Sequence, residues 1–253
     1  MSEEQNIDLA QIGGRLAWIG LGVAVVSGLA MAASGFGYRL GLWHFSTGFT
    51  IIGASFWAGA GGAIVALLGL ILCRGKPPQT LAAALLGIVV GGAVVYIPWS
   101  WKQALDTHPR IHDITTDVEN PPAFLAVKAL RQPGDHSVDY DGTAVAAQQR
   151  AAYPDLVTQI VASDKNKVFA AAEAALRSMH LDVVAANASE GRIEATDTSF
   201  FFGFKDDLVV RVVADGSGAR VDVRSKSRLG RSDLGQNARR VRVFLRELRA
   251  NLQ

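Results

Sequence analysis

Two runs of the chain group residues that could do acid–base, metal or anion chemistry. The first is Ile111-His112-Asp113-Ile-Thr-Thr-Asp117, with His108 four residues before His112. A histidine within hydrogen-bond reach of Asp113, Asp117 or the adjacent pair Asp206 and Asp207 could act as the general base of a hydrolase. His108, His112, Asp113 and Asp117 could instead ligate a metal. Pro109 breaks a regular helix across the two histidines, and Asp and Thr in such a run also serve turns and caps. The second run is Asp222-Val-Arg224-Ser225-Lys-Ser227-Arg228-Leu-Gly230-Arg231, continuing through Asp233, Gly235, Asn237 and Arg240. Alternation places Val221, Val223, Ser225 and Ser227 on one face of a strand. Asp222, Arg224, Lys226 and Arg228 take the other. Arg224, Arg228 and Arg231 beside free amides at a helix N-terminus would favour phosphate or carboxylate. Internal pairing with the chain's own carboxylates is the competing reading. No Lys-Ser/Thr follows Gly235, so this is not a phosphate-binding Walker loop. Neither a G-x-S-x-G elbow nor an H-E-x-x-H pair occurs.

These motifs need elements to position them. From Leu156 the pattern is regular. Strands are expected over Leu156–Ala162, Leu181–Ala186, Arg192–Phe202, Leu208–Ala214 and Arg220–Arg228. A helix capped by Ser163 or Asp164 carries Val168, Ala172, Ala175, Leu176 and Met179 at helical spacing. Asp215-Gly-Ser-Gly218 marks a hairpin. A closing helix runs from about Leu234 to Asn251, with Asp233 or Ser232 as its cap. Val241, Phe244, Leu245, Leu248 and Leu252 form its apolar stripe. Arg239, Arg242, Arg246 and Arg249 form a separate stripe. Asn237 lies on the apolar stripe, so it faces the sheet and needs a buried partner. The order strand, helix, four strands, helix implies an α+β domain with an antiparallel sheet and two helices. Phe200-Phe-Phe-Gly-Phe204 is unusual for a strand, because its aromatics cannot all face one side.

The motifs Ile111–Asp117 with Pro121-Pro122, Phe204-Lys-Asp-Asp207 with Arg211, and Asp222–Gly230 through Asp233, Gly235, Asn237 and Arg240 come in order. Together they resemble the domain-of-unknown-function family 1499 over roughly residues 111–252. The resemblance implies a single domain built around an Asp/Arg/Ser polar cluster, and layouts with preceding transmembrane helices are similar to members of that family. It implies no activity.

Charge divides the chain. Residues 1–101 hold seven of the 48 charged residues, a net +1, and residues 102–253 hold the other 41. Within the latter, residues 102–218 carry −6 and residues 219–253 carry +7. Three charge-free runs in the first part are long enough to cross ~30 Å of hydrocarbon, which takes about 20 residues of helix. Spans are expected near 16–34, 48–73 and 80–99 in a membrane domain over 1–101. An irregular linker over 102–152 and an α+β core over 153–253 follow. The leader Ser2-Glu3-Glu4 is acidic and the first run too long for a cleavable signal peptide. Trp18, Trp43, Tyr96, Trp99 and Trp101 suit the membrane interfaces, and Pro98 is expected to end or kink the third helix. Arg74 and Lys76 in one tight loop favour its cytoplasmic placement. That puts the N-terminus inside and residues 102–253 outside, in the periplasm of a bacterium with the chain in the inner membrane. Gly59 with Ala63, and Gly87 with Gly91, have the spacing of close helix contacts.

Several function classes fall away. No Asp, Glu, Lys or Arg lies inside an expected span, which argues against a pump or ion-coupled transporter. The lone Cys73 allows no intramolecular disulfide and no Cys-based zinc site. The basic stripe is confined to one helix without interleaved aromatics, so nucleic acid is not an expected partner. No cofactor motif is present. Three readings remain. One is a membrane-anchored binding or assembly module for an anionic lipid, a glycan or a membrane-protein partner. Another is a membrane-bound hydrolase using His112 and nearby carboxylates. The third is a structural subunit acting through its transmembrane helices. The candidate polar cluster is His112, Asp113, Asp117, Asp206, Asp207, Arg211, Asp222, Arg224, Ser225, Ser227, Arg228, Asp233, Asn237 and Arg240.

Overall fold

A computed structural model describes residues 8–253. The acidic leader Ser2-Glu3-Glu4 lies outside the described residues. Three long apolar helices come first: α1 (Leu9–Arg39), α2 (Phe45–Leu72) and α3 (Pro78–Thr107). Each is long and apolar enough to cross a membrane. They outrun the expected spans because a charge-free window marks only the hydrocarbon-length part of a helix. At 1.5 Å per residue, 31 residues of α1 reach ~46 Å. Pro98 does not end α3, which continues for nine residues beyond it. A proline lacks the N–H that would bond the carbonyl four residues back, and a long helix absorbs the loss of that one bond.

The helices pack through small residues. A Cβ on Gly91 would lie 2.6 Å from the Gly59 carbonyl oxygen and 2.9 Å from Ala63 Cβ. One on Gly87 would lie 2.9 Å from Ala66 Cβ. The small-residue pairs read from the sequence thus form contacts among the chain's own helices, because only a missing side chain lets the backbones approach this closely.

The remaining elements are β1 (Asp113–Thr115), a 3₁₀ turn (Val127–Leu130), α4 (Thr143–Ala152), β2 (Gln159–Val161), α5 (Lys165–Ser178), β3 (Asp182–Asn187), β4 (Arg192–Thr198), β5 (Lys205–Asp215), β6 (Gly218–Ser227) and α6 (Gln236–Ala250). The sheet is open and antiparallel, ordered β1-β6-β5-β4-β3, with β2 also pairing β6. The chain divides into two compact units. One holds the described residues through Gln103 together with Phe201–Gly203; the other holds Ala104–Phe200 and Phe204–Gln253.

Segment 102–152 is more ordered than its composition suggests. It contributes the rest of α3, strand β1 and helix α4. Three residues of β1 are too short to show a periodicity, and α4 lacks a capping side chain. The strand expected over Arg192–Phe202 stops at Thr198. Ser199 turns the chain: its N–H donates to the Phe204 carbonyl at 2.8 Å and its Oγ accepts from the Phe204 N–H at 2.9 Å. Gly203 takes φ +71°, which an L side chain resists. Phe200–Phe202 therefore lie in a turn and not in a strand.

The second unit has its main core on one face of the sheet. Leu208, Val210, Val212, Val221 and Val223 pack there against Val168, Ala172 and Leu176 of α5 and Val241, Phe244 and Leu248 of α6. Asp164 caps α5 by accepting from the Asn166 and Lys167 N–H groups. Gly216 at φ +57° closes the β5–β6 hairpin at the pair Asp215–Gly218. The opposite face of the sheet is covered too. A strap, residues 116–141, crosses it and adds a small core of Phe124, Val127 and Val209. Strand β6 is consequently buried along nearly its whole length, although every second residue on it is polar or charged.

Candidate polar cluster

Register distributes the charges in rows across the strap-covered face. Arg192 on β4 stands opposite Arg211 on β5, which stands opposite Asp222 on β6. The next row is Glu194, Val209, Arg224 and Thr115. The third is Thr196, Asp207, Lys226 and Asp113. Like charges directly opposite one another are unfavourable, so each row depends on counter-charges from its neighbours and from the strap.

Every expected arginine on this face is engaged. Arg224 is 2 % exposed. Its Nε and Nη2 each donate at 2.8 Å to one oxygen of Asp113. Its remaining donors reach the carbonyls of Pro122, Val138 and Asp139 on the strap, and its guanidinium lies 4.8 Å from the Phe124 ring centroid. Arg228 repeats the fork on Asp207, with Nε at 3.0 Å and Nη2 at 2.8 Å, and donates to the Leu130 carbonyl. Asp207 also accepts from Arg131 Nη2 at 2.9 Å and Thr196 Oγ1 at 2.8 Å. Arg211 Nη2 bridges Asp117 at 2.9 Å and Asp222 at 2.7 Å. Fully buried Glu194 accepts the N–H groups of Leu125, Ala126 and Val127 and pairs with Arg192.

The rest of the expected cluster lies on the other face, because adjacent Asp206 and Asp207 point in opposite directions. Buried Asn237 accepts on Oδ1 from Ser225 Oγ and Arg240 Nη1, both at 2.6 Å. Its Nδ2 donates to Ser227 Oγ at 2.9 Å and to the His112 carbonyl at 3.1 Å. Arg240 Nη2 reaches Asp197 and Asp206 at 2.7 Å each. Asp233 accepts from the N–H groups of Gly235 at 2.8 Å and Asn237 at 2.9 Å. Burial raises the Asp233 carboxyl above its ordinary value. One sequence cluster is thus two clusters, one under the strap and one under α6.

Internal pairing and an anion site are the two readings of Arg224, Arg228 and Arg231; carboxylates close the first two, Asp233 occupies amides at the start of α6, and Arg231 is exposed. Among the described residues no group of three or more His, Cys, Asp or Glu side chains could hold an ion. His108 instead bonds the Ala104 carbonyl.

His112 finds a carboxylate that the sequence did not single out. Its Nε2 lies 3.3 Å from Asp141 Oδ2, without hydrogen-bond alignment. Its ring stacks on His136 with centroids 4.1 Å apart. Burial foremost, then His136, lower its pKa, against the pull of Asp141. Nearly buried Lys226 donates to Asp141 and to the Asp139 carbonyl, both at 2.6 Å, and lies 3.3 Å from Asp113. Asp113, Asp117, Asp206 and Asp207, the carboxylates considered for a His112 hydrolase, are all paired with arginines.

Arg131, Asp141, Glu194, Thr196 and Asp197 escape a motif search. For Asp141 and Asp197, which pair with Lys226 and Arg240, the one signal is arithmetic: an acidic −6 segment preceding a basic +7 segment within one domain. The strap supplies Asp117, Arg131 and Asp141, whose partners are 76 to 94 positions away.

No curated protein matches the chain. A family model described as a protein of unknown function, DUF1499, matches residues 113–248, which take in β1 through most of α6 and both polar clusters. The match covers more than half of the sequence, and the chain belongs to the DUF1499 family of unknown function.

Proposed function

We propose that this protein is a membrane-anchored binding or assembly module. In this reading α1, α2 and α3 cross the inner membrane of a bacterium, the N-terminus is cytoplasmic, and the α+β domain stands in the periplasm to engage a membrane-protein partner. The carrying observation is that Asp113–Arg224 and Asp207–Arg228 are buried, forked pairs whose arginines also hold strap carbonyls. A strap so fixed presents a preformed outer surface, and preorganisation lowers the ordering cost of association. That surface carries Leu125 and Leu130, 56 % and 45 % exposed. A cleft of about 260 Å³ beside Pro121 and Pro122 adjoins it.

A photo-crosslinker at Leu125 in the full chain, in native membranes, tests the reading. A single discrete adduct lost on Leu130→Asp, with the fold unchanged, supports it. Crosslinks to lipid alone would favour the anionic-lipid version. Absence of any adduct from positions 125 and 130 would count against a binding strap. The hydrolase reading has weaker support, since His112 lacks an aligned hydrogen bond to Asp141 and its ring face is occupied by His136.

A further inference from the structure

The three apolar helices do not pack evenly along their lengths. Around Gly87 and Gly91, α3 lies in backbone contact with its neighbours: a Cβ on Gly87 would come within 3.0 Å of Leu21 N, and one on Gly91 within 2.6 Å of the Gly59 oxygen. Farther along, α1 and α3 separate. A Cβ on Gly28 would meet only Val94 at 3.5 Å and Val90 at 3.9 Å. The space left between them is about 620 Å³, and about 1140 Å³ when its open side is counted. Ala32 and Phe36 of α1 and Val89, Ala93, Ile97 and Trp101 of α3 line it. Trp101 and Phe36 stand at one end, each with a ring near Phe201, at 6.5 and 5.8 Å.

From the geometry we infer that this groove binds one hydrocarbon chain of a phospholipid. The inference rests on the membrane-spanning reading of α1–α3. Val89 to Trp101 spans ~18 Å of helix axis at 1.5 Å per residue. That length is close to the ~15 Å that one leaflet contributes to ~30 Å of hydrocarbon, so the groove matches one lipid chain lying along the helices. The lining offers almost no polar atoms, as a chain requires. Charge fits the rest of the lipid. Arg39 follows Phe36 by three residues and Lys102 follows Trp101 by one, so two cations stand at the aromatic end, where the phosphate of a seated lipid would lie. Aromatic rings and snorkelling basic side chains at one level are the pattern of a membrane interface.

The test uses the full chain in nanodiscs of palmitoyl-oleoyl phosphatidylglycerol and phosphatidylcholine, released for native mass spectrometry. Ala32→Phe and Ala93→Phe fill the groove, and Gly53→Phe, at a position with nothing within 4 Å, is the control. Wild type and Gly53→Phe should keep one phospholipid, and the two filled variants should lose it at least tenfold. Preference for phosphatidylglycerol would place the selectivity at Arg39 and Lys102; equal retention of both lipids would leave the phosphate as the recognised group. Equal lipid retention in all four proteins overturns the proposal alone. A protein adduct displaced by Ala32→Phe in place of a lipid would assign the groove to a partner and overturn it too. Release of the chain from membranes by alkaline carbonate would overturn the spanning reading and this proposal together.

Discussion

Asp207→Ala removes the most heavily used carboxylate under the strap. Asp207 is fully buried and accepts from Arg228 twice, Arg131 twice and Thr196 once. Its loss strands two guanidiniums whose side chains are only 5 % and 7 % exposed. Breaking a buried pair by deleting one partner costs ~3–5 kcal/mol, because the other charge stays buried and uncompensated. For a unit of about 150 residues each kcal/mol moves Tm by roughly 2–4 °C, so the loss is roughly 6–20 °C. The assay is thermal unfolding of the full chain in detergent, followed by near-ultraviolet circular dichroism. Asp155→Ala is the reference. It breaks a forked pair to Arg242 whose side chains are 53 % and 44 % exposed, and such pairs contribute ~0–1 kcal/mol. A hydrophobic triple replacement, Asp207→Leu with Arg228→Leu and Arg131→Met, should recover most of the loss, since apolar substitution of a whole buried ion cluster is often neutral. If Asp207→Ala behaves like Asp155→Ala, the buried pairing is not what holds the strap.

Four further outcomes follow from the same contacts. Asn237→Ala leaves Ser225, Ser227 and the His112 carbonyl short of partners and should cost ~1–3 kcal/mol in denaturant unfolding. His112 has a lowered pKa, so the unfolded chain takes up its proton first. Stability should fall as pH drops through the ordinary value of 6.5 toward the lower folded value, and His112→Gln should flatten that slope. Asp233 has the opposite sign. Its raised folded pKa makes stability fall as pH rises from the ordinary 3.8 to the raised value, and Asp233→Asn should remove that component from a stability–pH profile. Gly91→Leu forces a side chain where Gly59 and Ala63 already sit and should destabilise the helical unit by ~1–3 kcal/mol or more in detergent unfolding, while Gly92→Leu, facing open space, should not.

Much of the architecture can be read directly from residue types. Missing charges mark three helices, and the hairpin glycine, the Asp164 cap and the α6 stripe locate the later elements. Asn237 shows itself because an amide on an apolar stripe needs a buried partner, and it has four. What stays hidden depends on long-range contact. The strap has no period of its own, since it is held by carbonyls and carboxylates spaced to suit the sheet and not a helix. Alternation correctly separates the two faces of β6, but it does not say what covers the charged one. Only the cover contributed by residues 116–141 makes that face interior. The run Phe200–Phe204 misleads for a local reason: β-prone aromatics outweigh Ser199 and Gly203 in any propensity, while the turn those two residues build ends the strand.

The central claim is that buried ion pairs lock the strap across β4, β5 and β6. Amide hydrogen exchange on the full chain in nanodiscs tests it most directly. The N–H groups of Leu125, Ala126 and Val127 bond Glu194, and that of His136 bonds the Arg228 carbonyl at 2.7 Å. These four amides should be protected to the same degree as those of β5 and β6, and Asp207→Ala should release the strap before the sheet. Exchange of the strap at unfolded rates in the wild-type protein, beneath a fully protected sheet, would contradict the account.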